Sequence, residues 1–192
     1  MTPKYVVDAS LLLRREEQEE YEEEAYPTHW SNFDKFVDLG VIVSVDEVKD
    51  EITEHTGGFY EKWAEDHEFM FNPTSREVAV CLSKLSEKYP VWYSSIHKKN
   101  KHTADASLIA FAKVNGLTLI TQESYKDYEK TKEKNFSIPT VWELIGGRCI
   151  MKSCSTDYTG KDCFGDCINF NELIKRERLF DPDLFEDTMN DV

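Results

Sequence analysis

The chain has 192 residues and a formal net charge of -14, from Lys+Arg 23 against Asp+Glu 37, with 40% hydrophobic residues and only 8 Gly and 6 Pro. This composition suits one ordinary globular domain with a proper core, and it excludes low-complexity disorder and a large multidomain enzyme. The charge excludes broad coating of a duplex, so any nucleic-acid contact must be local.

In chain order, the N-terminus MTPKYVVD has neither the length nor the cleavage pattern of a signal peptide. No apolar stretch approaches the roughly 20 residues of a membrane span, so a cytoplasmic protein with no membrane contact is expected. Strands are expected at Tyr5 to Val7, Val41 to Val43, Leu117 to Ile120, Ile138 to Val141 and Cys167 to Phe170. Between them, Trp30, Phe33, Phe36 and Val37 recur at helical spacing and stop at Gly40, and Val78, Leu82 and Leu85 do so before Tyr89 and Pro90. Thr103 is placed to cap a helix carrying Leu108, Ile109 and Ala112 that ends at Gly116. Strands alternating with helices predict a three-layer α/β fold around a short, mostly parallel, five-stranded sheet.

Residues 1–180 are read as one domain, with a cysteine-rich insertion at about 149–167 and a frayed acidic tail at 181–192. The run from Arg14 to Glu24 holds seven Glu in eleven residues and reads as a solvated acidic face. The five cysteines are an odd number, with Cys81 alone in a helical pattern, which suits a reducing compartment. Cys149 with Cys154 and Cys163 with Cys167 form two short-spaced pairs. A structural Zn²⁺ clip, one or two disulfides, and free thiols all remain open for them.

In a parallel α/β sheet, functional groups collect at the carboxyl ends of strands. Asp8 closes the first strand in YVVDAS, and Glu47 and Glu51 lie one turn apart in VDEVKDEI after the second. Asp105 opens the helix in HTADASLIAFAKVNG, and Glu123 follows the strand LTLIT. Taken singly, each acid has an ordinary explanation as a helix-dipole partner, a solvated face or a loop residue. Together they would converge on one edge, where two carboxylates about 5 Å apart repel by roughly 3 kcal/mol at an effective dielectric near 20. A hard divalent cation, Mg²⁺ or Mn²⁺, is the natural relief, because such ions take oxygen ligands and complete their shell with water and phosphate oxygens.

The segments YVVDASLL, VDEVKDEI, TADASLIAFAKVNGLTLITQE and IPTVWELIG resemble the PIN-domain superfamily of metal-dependent ribonucleases, in particular a PIN-like branch related to VapC-type toxins. The resemblance spans roughly residues 4–148 and resumes in CINFNELIKRE. It implies a PIN-like fold with catalytic acids at Asp8, Glu51, Asp105 and Glu123, Glu47 being the rival of Glu51. Asp8, Asp105 and Glu123 would hold the metal, with Ser10 and Thr121 as supporting hydroxyls. It further implies Mg²⁺- or Mn²⁺-assisted hydrolysis of RNA phosphodiesters, an antitoxin partner that blocks the site, and a homodimer.

Rival readings lack their residues. A haloacid-dehalogenase-like phosphatase needs a second Asp where Ser10 stands, a receiver domain needs further acids and a Lys, and no glycine-rich loop cradles a nucleotide. The basic loop HKKNKH, with Lys98, Lys99 and Lys101, is the expected contact with the RNA backbone. The alternative class of function is a non-catalytic PIN-fold interaction module. Acids at all four family positions favour the enzyme, since a binding module gains nothing from their repulsion.

Overall fold

The computed structural model describes residues 2–16, 19–55, 59–99, 104–151 and 163–185. Its six strands are β1 (Tyr5–Val7), β2 (Ile42–Val45), β3 (Phe71–Asn72), β4 (Thr118–Ile120), β5 (Arg148–Cys149) and β6 (Asp166–Ile168). They pair in parallel throughout, in the order β3-β2-β1-β4-β6-β5. Val6 and Val7 point to opposite faces of β1, and both are fully buried. Helices therefore cover the sheet on both sides, which is the three-layer α/β arrangement and explains the unbroken apolar runs in the central strands.

The helices are α1 (Ala9–Leu12), α2 (Pro27–Asp38), α3 (Asp46–His55), α4 (Phe59–Asp66), α5 (Arg76–Lys88), α6 (Pro90–Lys99), α7 (Ala104–Asn115), α8 (Ile138–Leu144) and α9 (Phe170–Glu177). Helix α7 packs on β1, β2 and β4. Its Ala106, Ala110 and Ala112 are buried, and side chains this small let the helix lie close to the sheet. Helices α2 and α7 are each followed by a glycine in the left-handed region, Gly40 and Gly116. A Cβ on Gly116 would touch nothing, so conformation rather than space calls for glycine there. Among the described residues, no helix is long and apolar enough to cross a membrane.

The sheet departs from expectation at three places. Ile138 to Val141 is the start of α8, not a strand, because Pro139 falls in the first helical turn, where its missing N–H and fixed φ are tolerated. Phe170 likewise belongs to α9, whose N-cap Asn169 accepts a hydrogen bond from the Glu172 amide at 3.0 Å. The sheet gains β3 and β5 instead, two-residue strands without an apolar run to announce them. Cys149, expected in an insertion, is a sheet residue paired in register with Cys167, which opens the expected strand.

Within the acidic run Glu19, Glu20 and Glu24 are exposed, as a solvated face requires, while Glu23 turns onto a cation. Arg15, 7% exposed, binds both carboxylate oxygens of Glu23 and both of Asp34 at 2.8 Å, with its guanidinium over the Trp30 ring. This tie carries Tyr21 into the core, where its ring meets Phe170 edge-on at 5.1 Å. The beginning of the expected tail is also held. Asn32 donates to the carbonyls of Leu179 and Asp181, and Phe185 packs on Phe36, while residues 186–192 lie outside the described residues.

Candidate active site

The connections leaving β1 and β4 diverge, one towards β2 and the other towards the β6-β5 edge, so a crevice opens between these neighbouring strands at their carboxyl ends. Asp8 follows β1 in that crevice and is 3% exposed. One of its oxygens, Oδ2, accepts from the hydroxyls of Thr121, at 2.8 Å, and Ser10. Those hydroxyls accept in turn from backbone amides, Ser10 from Gln122 at 3.0 Å and Thr121 from Glu123 at 3.1 Å. Each hydroxyl thus has a fixed donor behind it and the Asp8 carboxylate in front.

A cleft of about 240 Å³ brings Asp8, Glu51, Asp105 and Glu123 together. Asp105 comes from the first turn of α7 and Glu51 from α3, which packs against α7. Glu123 is steadied by the Ile138 amide, which donates to its Oε2 at 2.7 Å, so a helix-start N–H without an intrahelical partner orients the carboxylate. Glu47 and Glu51 differ in position. Glu51 lines the cleft, whereas Glu47 accepts from Ser107 at 2.8 Å and Thr74 at 3.2 Å, with its other oxygen buried and without a hydrogen-bond partner among the described residues.

The electrostatics follow from this crowding. Burial, then the charges of Glu123, Asp8 and Glu51, push the Asp105 carboxyl well above the ordinary range. Burial also raises Asp8, against the restraining hydrogen bonds from Ser10 and Thr121. Cys167 is raised strongly by burial and by its contact with Cys149, with smaller contributions from Asp8 and Glu123.

The lysines of the cleft are not those expected. Lys126 and Lys134 line it, and the Lys126 ammonium is anchored on the Asn135 carbonyl at 3.2 Å. They stand in the charged segment after Glu123, where nothing in their spacing singles them out from Lys130 and Lys132. Lys98 and Lys99 belong to the end of α6 rather than to a loop, and Lys101 lies outside the described residues. Thr103 and Cys154 also lie outside them.

Among the described residues, no group of three or more His, Cys, Asp or Glu forms a ready-made metal cage, either in the cleft or at Cys149, Cys163 and Cys167. Mg²⁺ does not require one, since it is commonly held by one or two carboxylates, several waters and substrate phosphate. A crowded carboxylate cleft whose central acid is raised by three others fits such an ion.

Fold and site together define a parallel α/β protein with an acid-lined cleft at the switch point of its sheet. The chain belongs to the family described as a domain of unknown function, DUF4411, whose model matches residues 5–153. None of the curated proteins matches it. Among solved structures it is similar to the crystal structure of PAE2754 from Pyrobaculum aerophilum, at 16% identity and a TM-score of 0.35, over 64% of this chain and 83% of that one.

Proposed function

We propose that the protein is a metal-dependent endoribonuclease that hydrolyses RNA phosphodiester bonds with Mg²⁺ or Mn²⁺. The observation that carries this reading is the position of Asp105, buried and gathered with Asp8, Glu51 and Glu123 around one cleft. A divalent ion held there would lower the pKa of a water for attack on phosphorus and offset charge on the attacked phosphate. Its carboxylate ligands would come from among Asp8, Asp105 and Glu123. Ser10 and Thr121 fix the direction of the Asp8 carboxylate, and the amide of Ile138 that of Glu123. Lys126 and Lys134 supply positive charge to a phosphate entering the cleft. Water attacks phosphorus, the bond to the leaving ribose oxygen breaks, and no side chain need act as nucleophile.

The sequence resemblance to PIN-like proteins supports a finer reading. The protein would then be a cytoplasmic toxin, restrained by an antitoxin over the cleft and paired with a second copy of itself. The test is incubation of the purified protein with single-stranded RNA and Mn²⁺. Cleavage that EDTA abolishes and Asp105→Asn removes is the expected result, and intact RNA under all conditions would overturn the reading. For the toxin, expression of the parent alone should arrest growth while Asp105→Asn is tolerated, and unimpeded growth with the active parent would count against it.

A further inference from the structure

Beside the acid cleft lies a second, larger cavity of about 790 Å³, and Glu123 lines both. Its walls come from four parts of the chain: Glu20 with Tyr21, the segment after β4, Met151 after β5, and the start of α9. Tyr21, Tyr125 and Tyr128 supply aromatic surface, and Gln122, Asn169 and Asn171 supply amides. Tyr21 is fixed on Phe170, and its hydroxyl sits among Glu20, Gln122 and Asn171. Tyr128 stands at the surface, 40% exposed.

The charge of the cavity narrows its occupant. Glu20, Asp127 and Glu129 join Glu123 in the lining, and Lys130, the lysine among the lining residues, is paired with Asp127 at 3.1 Å. A phosphate is therefore disfavoured here, unlike in the neighbouring cleft with Lys126 and Lys134. Aromatic faces with amides and carboxylates suit a flat, uncharged ring that donates hydrogen bonds. Stacking on tyrosine tolerates any base, while carboxylate acceptors favour an edge that carries an amino group.

We infer that this cavity, which shares Glu123 with the acid cleft, holds an unpaired RNA base next to the phosphate in the cleft, and that it prefers bases with an amino edge to uracil. The inference rests on the ribonuclease reading for its orientation and deepens it by naming an unstacked, single-stranded substrate. Duplex RNA cannot offer such a base without unpairing it.

The test is binding of octacytidylate and octauridylate to the full chain in EDTA, where no cleavage occurs. The two rings are alike in size and differ in an amino donor against a carbonyl acceptor. Octacytidylate should bind several-fold more tightly. Tyr128→Leu should weaken its binding by at least about fivefold, the low end of what stacking one base contributes. Asn171→Ala, at an exposed position, should weaken it as well with an unchanged melting temperature. Equal binding of the two oligonucleotides, or parental affinity in both variants, would overturn the inference. So would binding of an oligo-arginine peptide that Tyr128→Leu abolishes while neither RNA binds. RNA cleavage with Mn²⁺ is scored separately, so failure of the pocket and failure of the ribonuclease reading give different results.

Discussion

Asp8 and Asp166 are both buried acids on the same sheet, 3% and 8% exposed, yet their surroundings are opposite. Asp166 begins β6 at the amino edge, where Arg148 binds both of its oxygens at 2.7 and 3.0 Å and Arg176 binds one at 3.0 Å. Despite burial, these two guanidinium groups hold its carboxyl below the ordinary range. At the carboxyl edge, burial raises Asp8 against the hydroxyls that bind it, and burial together with three other carboxylates raises Asp105 well above the ordinary range. The amino edge shows what this chain does with an acid it uses for stability: it supplies arginines. At the carboxyl edge, four carboxylates share one cleft with Lys126 and Lys134, a crowding that a divalent cation would relieve.

The largest expected effect is on activity. Asp8→Asn and Asp105→Asn should each lower RNA cleavage by about 10²-fold or more, while Asp166→Asn leaves it near the parental rate, as single-turnover cleavage with Mn²⁺ would show. Retained cleavage in both cleft variants would break the comparison.

Stability should move the other way. In EDTA, Asp105→Asn should melt no lower than the parent, and about 1–3 kcal/mol of relieved repulsion should raise it. Asp166→Asn should lose about 1–2 kcal/mol, because it gives up hydrogen bonds to two cations that remain partly solvated. Thermal melts of the two variants side by side decide the matter, and a marked drop in Asp105→Asn would make that acid structural.

The two acids also predict opposite pH dependences in EDTA. Between the ordinary carboxylate pKa and the raised value of Asp105, the folded protein holds a proton that the unfolded chain has released, so stability falls as pH rises through that window. Asp166 contributes stability above the ordinary carboxylate pKa and loses it as pH falls through its lowered folded value. The advantage of Asp105→Asn over the parent should therefore grow from pH 4 upwards, and the deficit of Asp166→Asn should shrink below about pH 4. A gap that stays constant with pH would contradict both assignments.

The smallest effect separates neighbours on α3. Glu51→Gln should reduce cleavage clearly and Glu47→Gln only mildly, since Glu47 ties α3 to α7 through Ser107 while Glu51 lines the cleft. Equal losses would place Glu47 in the reaction as well.

Much of this contrast was legible in the chain, for physical reasons. Asp8 and Asp105 mark a strand end and a helix start, and periodicity locates both. Glu123 follows from the apolar run before it. Lys126 and Lys134 were not legible, because their places depend on how the segment between β4 and α8 folds back over the cleft. Misreading Ile138 to Val141 as a strand hid that return, and the same helix start supplies the amide that orients Glu123. The second cavity was hidden for a comparable reason. Tyr21 lies in a run of glutamates that looks solvated until Arg15 is seen to draw Glu23 and Asp34 together and fold the run against α9.

The central claim, that the carboxyl-edge acids form a divalent-cation site, is tested most directly by thermal melting at neutral pH with increasing Mn²⁺. A site bound at 100 times its dissociation constant adds about 2.7 kcal/mol. The parent and Asp166→Asn should both gain several degrees on saturation, and Asp105→Asn should gain little. No shift in the parent, or an equal shift in Asp105→Asn, would contradict the claim.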